Sequence, residues 1–180
     1  MTILTTSRLL LRPISLDDLD AKFAISQHPD VYQFDGFVRL ENEQKRPRTR
    51  DEWRIKLEQR VAEFALQGFG QWAMGLQETG VFIGWAGLQF YLLDAGSSST
   101  PEIELFYGQS RSYWGKGYAT EACQALIQYG FTTLKLCRIT SVAARENLHS
   151  LNVMRRVGMR LEDHPSEPEN MLGILDNPGA

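Results

Sequence analysis

Two periods alternate along the chain, and the sharpest change between them falls at residues 102–130. Glu102-Ile103-Glu104-Leu105-Phe106-Tyr107 has the character of a half-buried strand. Ala119, Ala122, Cys123, Leu126, Ile127 and Gly130 then recur at helical steps. Between the two lies Ser112-Tyr113-Trp114-Gly115-Lys116-Gly117-Tyr118. A strand-to-helix turn with two glycines presents backbone N–H groups at the positive end of a helix, which suits a phosphate or pyrophosphate. The same turn also fits an ordinary connection in which glycine only permits tight backbone.

Residues 7–14 read as a first strand, ended by Pro13, which has no N–H for a ladder. Ser15, with Asp17 and Asp18 behind it, begins a helix whose stripe (Leu19, Phe23, Ile25) stops near His28-Pro29. Residues 30–48 predict a loop with a short helix. Thr49-Arg50-Asp51-Glu52 is a capping box, and Trp53, Leu57, Val61, Phe64 and Ala65 carry a second helix to about Gln67.

Residues 71–76 and 81–91 read as strands joined by a hairpin turn at Glu78-Thr79-Gly80. Gly84 and Gly87 inside the second mark a bulge or a close backbone approach. Residues 94–101 predict a flexible turn. The helix after the glycine turn should end near Leu134. Residues 138–143 should then return parallel to 102–107 through a right-handed crossover. Asn147 caps a last helix with Leu148, Leu151, Met154 and Val157 on one face and Gly158 beyond its end. Residues 159–161 and 171–175 predict closing strands.

Composition narrows the function classes. The chain of 180 residues fits one domain, and 43% hydrophobic residues supply a substantial core. Nineteen basic against 22 acidic side chains give 19 − 22 = −3, which argues against a general nucleic-acid binder. Residues 161–180 hold five acidic and no basic side chains, so an anion site is expected elsewhere. The basic residues around 45–60 are diluted by acidic ones and read as a solvated helix face. Cys123 and Cys137 predict buried free thiols rather than a disulfide framework. With no basic-then-apolar leader and no apolar run of about 18 residues, a soluble, cytoplasmic protein without a membrane partner is expected. His28, His149 and His164 are scattered, so no metal site is expected.

The common nucleotide loops do not fit. A Walker loop needs Ser or Thr after its lysine, where Gly117 follows Lys116, and position 110 is serine. The dinucleotide fingerprint fails at Thr120.

Trp114-Gly115-Lys116-Gly117-Tyr118-Ala119-Thr120-Glu121-Ala122 instead resembles the acetyl-CoA loop of the GNAT N-acetyltransferase superfamily, in particular the branch of ribosomal-protein N-terminal acetyltransferases. Ser7-Arg8-Leu9-Leu10-Leu11-Arg12-Pro13, Gly68-Phe69-Gly70-Gln71-Trp72-Ala73 and Phe82-Ile83-Gly84-Trp85-Ala86-Gly87-Leu88 resemble its first three strand entries. Arg138-Ile139 through Asn147, Ser150 and Gly158-Met159 resembles its closing half, so the likeness runs over about residues 4–160. It implies one α/β domain over residues 1–180: a mixed, largely antiparallel sheet of about seven strands, splayed between the fourth and fifth, with helices on both faces. Residues 161–180 form an acidic tail with a closing strand.

The resemblance also implies chemistry. Acetyl-CoA is the co-substrate, with pantetheine paired to Leu105, Phe106 and Tyr107 and pyrophosphate on Ser112, Tyr113, Trp114, Gly115, Lys116, Gly117, Tyr118 and Ala119. Ser112 stands where the loop commonly carries Gln or Arg, and Arg111 lies one place earlier. Glu104 is the implied base for the attacking amine, with Glu102 a competitor. Asn147 orients CoA or a water, or is a plain helix cap. Ser150 is the hydroxyl nearest the leaving thiolate, because Met154 occupies the position of the proton-donating tyrosine that many members carry. The acceptor is a peptide N-terminus or a small-molecule amine, and the protein a monomer or homodimer. The alternative class is a catalytically silent CoA-binding sensor.

Overall fold

The computed structural model describes residues 2–34, 37–40, 44–94 and 99–179. The chain opens with β1 (Leu4–Thr5) and β2 (Leu9–Pro13), and a 3-10 turn leads into α1 (Leu19–Ser26) and the short α2 (Pro29–Tyr32). A separate two-stranded antiparallel sheet follows, β3 (Phe37–Arg39) and β4 (Lys45–Pro47). Then come α3 (Arg50–Gln67), β5 (Gln71–Leu76), β6 (Phe82–Asp94), β7 (Ser99–Gln109) and α4 (Tyr118–Thr132). The chain closes with β8 (Arg138–Ala144), α5 (Leu148–Arg156), β9 (Arg160–Asp163) and β10 (Asn170–Asp176).

Eight strands form one sheet in the order β1-β2-β5-β6-β7-β8-β10-β9. Every pairing in it is antiparallel except that of β7 with β8. A strand, a helix and a parallel strand therefore meet at β7–α4–β8, as the change of period predicts. The last strand, β10, inserts between β8 and β9.

Local chemistry explains the helix boundaries. Thr49 Oγ1 accepts from Glu52 N–H at 3.2 Å, and Glu52 accepts from Thr49 N–H at 2.8 Å, completing the predicted capping box. Arg46 adds a two-pronged pair to Glu52 at 2.7 and 2.8 Å, and the carboxyl is held down at about 2. α3 ends at Gln67, as predicted, with Gly68 in the left-handed region.

The sheet has two distinct faces. Side chains alternate along β5, so Trp72 and Met74 face α4 while Ala73 packs with Trp53, Leu57 and Leu19 from α3 and α1. The register aligns Ala73 with Trp85 and Trp85 with Gly108. It also aligns Gln71 with Gly87, Gly87 with Phe106, and Gln89 with Glu104. All of these therefore stand on the α1–α3 face. Ala86, Leu88, Ile103 and Leu105 join the opposite core under α4 and α5.

Several expectations need correction. The main sheet has eight strands, because the two-residue β1 joins its edge, and Phe37–Arg39 pairs with Lys45–Pro47 as two strands too short to show a period. Paired residues run to Asp94 and resume at Ser99, so Asp94 and residues 99–101 of the turn expected at 94–101 are strand; residues 95–98 lie outside the described residues. α4 stops at Thr132, before Leu134. Leu148 is 63% exposed: as the first residue of α5 it turns away from the face that buries Leu151 and Met154. Cys123 is buried but Cys137, just before β8, is exposed, and both are free thiols.

Candidate active site

The glycine turn folds as an anion nest. Residues 111–113 form a 3-10 turn, and Gly115 and Gly117 take φ of 76° and 81°, values that side-chain-bearing residues avoid. A Cβ at Gly115 would meet nothing within 4 Å, so this backbone is open to close approach. The first α4 backbone bond runs from Glu121 N–H to Gly117 O at 3.0 Å. The N–H groups of Tyr118, Ala119 and Thr120 are thus the helix donors left for a ligand.

Side chains fix this loop from behind. Gln109 Nε2 donates to Tyr113 O at 2.9 Å, and Trp114 Nε1 donates to Gln109 O at 2.9 Å. Arg8 Nη1 donates to Lys116 O at 2.9 Å, and the Arg8 guanidinium lies 4.5 Å from the centre of the Tyr118 ring. Lys116 Nζ lies 5.1 Å from the centre of the Tyr113 ring. Arg111 is bound to Asp30 at 2.8 Å and stacks on Trp114, so it does not replace the residue missing at the exposed Ser112.

Beside the nest the sheet opens. The one register pair between β7 and β8 is Glu104 with Thr140. Thr140 Oγ1 donates to Ile103 O at 3.3 Å, so the backbone groups of Ile103 point toward β8. By strand alternation those of Leu105 and Tyr107 do too, without a β8 partner in register. This is the expected splay. It supplies extended backbone donors and acceptors next to the helix N-terminus.

A cavity of about 890 Å³ joins these parts. Gly115, Gly117, Ala119 and Trp114 border it at the nest, and Tyr107, Asn147 and Ser150 at the splay. Glu104 and Phe106 border it on the α1–α3 face. Leu105 turns its side chain into the core, and only its backbone faces the gap. Ser112, Tyr113, Lys116 and Tyr118 contribute through the loop rather than to the cavity lining.

The candidate catalytic groups occupy different surroundings. Gln89 Nε2 donates to Glu104 Oε2 at 2.5 Å, which holds the carboxylate beside the cavity. Glu102 is instead 8% exposed, paired to Arg138 at 3.2 Å and absent from the cavity lining. Asn147 Oδ1 accepts from Ser150 N–H at 3.1 Å, a genuine N-cap. Tyr107 donates its hydroxyl to Ser150 O at 3.1 Å, and burial raises its ionisation well above the phenol range. Met154 is 1% exposed within the core and holds no proton to donate.

Sequence reasoning missed several cavity residues. Tyr91 borders it, its pKa pushed up to about 12 by burial and by the carboxylates of Glu167, Glu104 and Asp94. His164 Nδ1 accepts from Glu167 N–H at 3.1 Å, so Nε2 carries the ring proton and faces the Tyr91 oxygen at 2.9 Å. Trp53 and Trp85 are buried and also border the cavity. A Cβ on Gly108 would sit 2.4 Å from the Trp85 ring, so glycine lets that ring lie flat on β7. Arg60, from the stretch read as a solvated face, lies 5.2 Å from the centre of the Phe106 ring and lines the cavity. Lys45 and Lys56 from the same stretch also line the cavity, while Arg46, Arg50 and Arg54 are ion-paired to Glu52, Asp20 and Glu58.

A helix-capped anion nest beside a splayed parallel strand pair suits an elongated phosphate-bearing co-substrate. Residues 8–160 match the acetyltransferase (GNAT) domain family, and the chain belongs to it. It is 30% identical over 176 residues to the uncharacterized N-acetyltransferase p20 of Bacillus licheniformis, covering 97% of this chain and 92% of that protein. Among solved structures, an acetyltransferase of Agrobacterium tumefaciens superimposes with a TM-score of 0.79 at 27% identity, over 97% of this chain and 94% of that one. A ribosomal L7/L12 α-N-protein acetyltransferase in complex with coenzyme A shares the fold, with a TM-score of 0.73 at 14% identity over 99% and 100% of the two chains. The protein is thus an enzyme of the acetyl-CoA-dependent N-acetyltransferase class. Among the described residues no group of metal-ligand type clusters, and no helix is long and apolar enough to cross a membrane.

Proposed function

We propose that this enzyme transfers the acetyl group of acetyl-CoA directly to a primary amine, with a protein or peptide N-terminal α-amine as acceptor. The observation that carries the reading is the opening of β7 from β8 beyond Glu104, immediately beside the nest at Gly115 and Gly117. Gly115 tests the fit: its backbone is exposed, its φ is positive, and a side chain there would project into open space. Acetyl-CoA supplies an activated thioester. Its pyrophosphate is assigned to the N–H groups of residues 115–120, and its pantetheine to the backbone of Leu105 and Tyr107.

This chain's own residues then position and deprotonate. The N–H of Tyr107 is the donor assigned to the thioester carbonyl oxygen, where negative charge develops. Glu104 is assigned as the base. An α-amine titrates near about 7.7–8.0, so a modest carboxylate suffices to remove its proton, directly or through water. The Asn147 amide and Ser150 hydroxyl are the polar groups assigned beside the sulfur. A thiol with pKa of about 8.5 leaves readily enough to need no dedicated acid, which accommodates Met154. The amine-acceptor reading draws further support from the L7/L12 enzyme that shares the fold. The free thiols Cys123 and Cys137 fit action in a reducing, cytoplasmic compartment.

The deciding assay follows CoA thiol release from acetyl-CoA with a panel of peptides and small amines. Turnover with peptides supports the reading. Turnover with small amines alone moves the acceptor class, and acetyl-CoA binding without turnover on any amine marks a sensor instead.

A further inference from the structure

Among the described residues, three buried side-chain atoms have no hydrogen-bond partner: Arg48 Nε, Trp53 Nε1 and Gln71 Nε2. All three are donors, and they gather in one region. The Arg48 guanidinium lies 5.9 Å from the centre of the Trp53 ring. Trp53 packs against Ala73, two residues along β5 from Gln71 and on the same face. Lys22 adds an ammonium to the same place. It is 2% exposed, with Nζ 3.2 Å from the centre of the Trp85 ring and 4.5 Å from that of Trp53. Trp53, Gln71 and Lys22 all border the cavity that holds Glu104.

An unpartnered buried donor costs about 1–3 kcal/mol, and folded interiors rarely keep one without reason. Two of them belong to residues that border the cavity, Trp53 and Gln71, and with the Lys22 ammonium beside them they suit an oxygen acceptor. A carboxylate answers them best, because it accepts several N–H bonds at once and matches the charge. The register sets the distance to the chemistry. Gln71 lies two strands across the sheet from Phe106, through Gly87, and Glu104 is two residues further along β7. Two strand spacings across the sheet, combined with two residues along β7, come to about 12 Å. A carboxylate held here is too far from an amine at Glu104 to belong to the same carbon, and within reach of a dipeptide.

We propose that this end of the cavity is a carboxylate subsite of the acceptor: the enzyme selects amines bearing a carboxylate several bonds away, such as a peptide with an acidic second residue. The inference rests on the N-acetyltransferase reading of the site. It disfavours polyamines, whose distal ammonium would meet the donors of Trp53 and Gln71 rather than an acceptor.

The test is calorimetric binding to the CoA-saturated protein, with alanyl-glutamate, its carboxylate-free counterpart alanyl-glutaminamide, putrescine and glycine as probes. Alanyl-glutamate is expected to bind at least about tenfold more tightly than the other three, the equivalent of one charge-assisted hydrogen bond. Gln71→Leu and Trp53→Phe, the latter keeping a ring but losing the N–H, should each remove most of that preference. Equal binding of alanyl-glutamate and its amide, tighter putrescine, or a preference untouched in folded variants overturns the subsite. If a variant fails to fold, the comparison of probes on the unaltered protein decides. Thiol release with the same amines separates the two readings. Release that is indifferent to the carboxylate leaves N-acetyl transfer standing without the subsite. Selective binding without release leaves the subsite standing without the transfer.

Discussion

Arg8 and Glu121, 113 positions apart in the chain, form a single clamp: Arg8 Nη2 lies 2.6 Å from Glu121 Oε2. Glu121 also accepts from Thr6 Oγ1 at 2.6 Å, Ser7 Oγ at 3.0 Å and Arg8 N–H at 2.9 Å. Arg8 continues to Lys116 O, so the first turn of α4, the glycine loop and the entry to β2 move as one body. Glu121→Ala should therefore weaken acetyl-CoA binding as well as stability. Charge-assisted bonds of this kind contribute about 2 kcal/mol, or a fall in Tm of roughly 5 °C for a chain of this size. Calorimetric melting and acetyl-CoA titration check both.

The same carboxylate gives a pH dependence. Burial raises the Glu121 pKa, but the bonds from Thr6, Arg8 and Ser7 outweigh it and hold the group below its ordinary 4.5. A depressed carboxylate contributes stability that is complete above the unfolded value and is lost as pH falls through the folded one. Melting temperature should thus drop on acidification below about 4.5, and Glu121→Gln should flatten that part of the curve. Parallel curves for the two proteins would refute the assignment.

Glu104 and Glu102 sit two residues apart yet should respond oppositely. Glu104→Gln is expected to lower kcat/KM by about 10²-fold or more, the range of general-base catalysis, with the deficit growing as pH falls and the amine protonates. Glu102→Gln breaks the pair with Arg138 and should cost stability, about 1–2 kcal/mol, without a pH-dependent rate defect. Rate profiles of the two variants distinguish these roles.

Gly108→Ala places a methyl 2.4 Å from the Trp85 ring, which is 1% exposed and packed against Trp53 and Lys22. The ring has little freedom to retreat, so overpacking of about 1–3 kcal/mol is expected, together with a raised KM for the amine. Thermal melting and acceptor kinetics report the two effects.

How much of this was legible in the sequence follows from the range of each interaction. The Thr49–Glu52 box, the Asn147 cap and the β7–α4–β8 crossover are local, and period and turn chemistry carry them. Arg8 and Glu121 meet across 113 positions with no motif to join them. Gln71, Trp53 and Lys22 look like an ordinary strand residue, a core aromatic and a helix lysine until the fold stacks three elements over one cavity. The paired strands β3 and β4 have three residues each, too few for a period to emerge. Glu102 and Glu104 were indistinguishable by alternation, and only Arg138, brought in by β8, separates them.

The central claim is that acetyl-CoA is held by the backbone of the glycine turn rather than by its lysine. Titration of acetyl-CoA into Gly115→Ala and Lys116→Ala tests it most directly. A methyl at Gly115 strains a φ of 76° by about 1–2 kcal/mol and intrudes on the phosphate seat, so affinity should fall at least about tenfold. Lys116, turned over the Tyr113 ring, should change affinity by less than about threefold when truncated. Near-normal binding by Gly115→Ala with loss in Lys116→Ala would contradict the account.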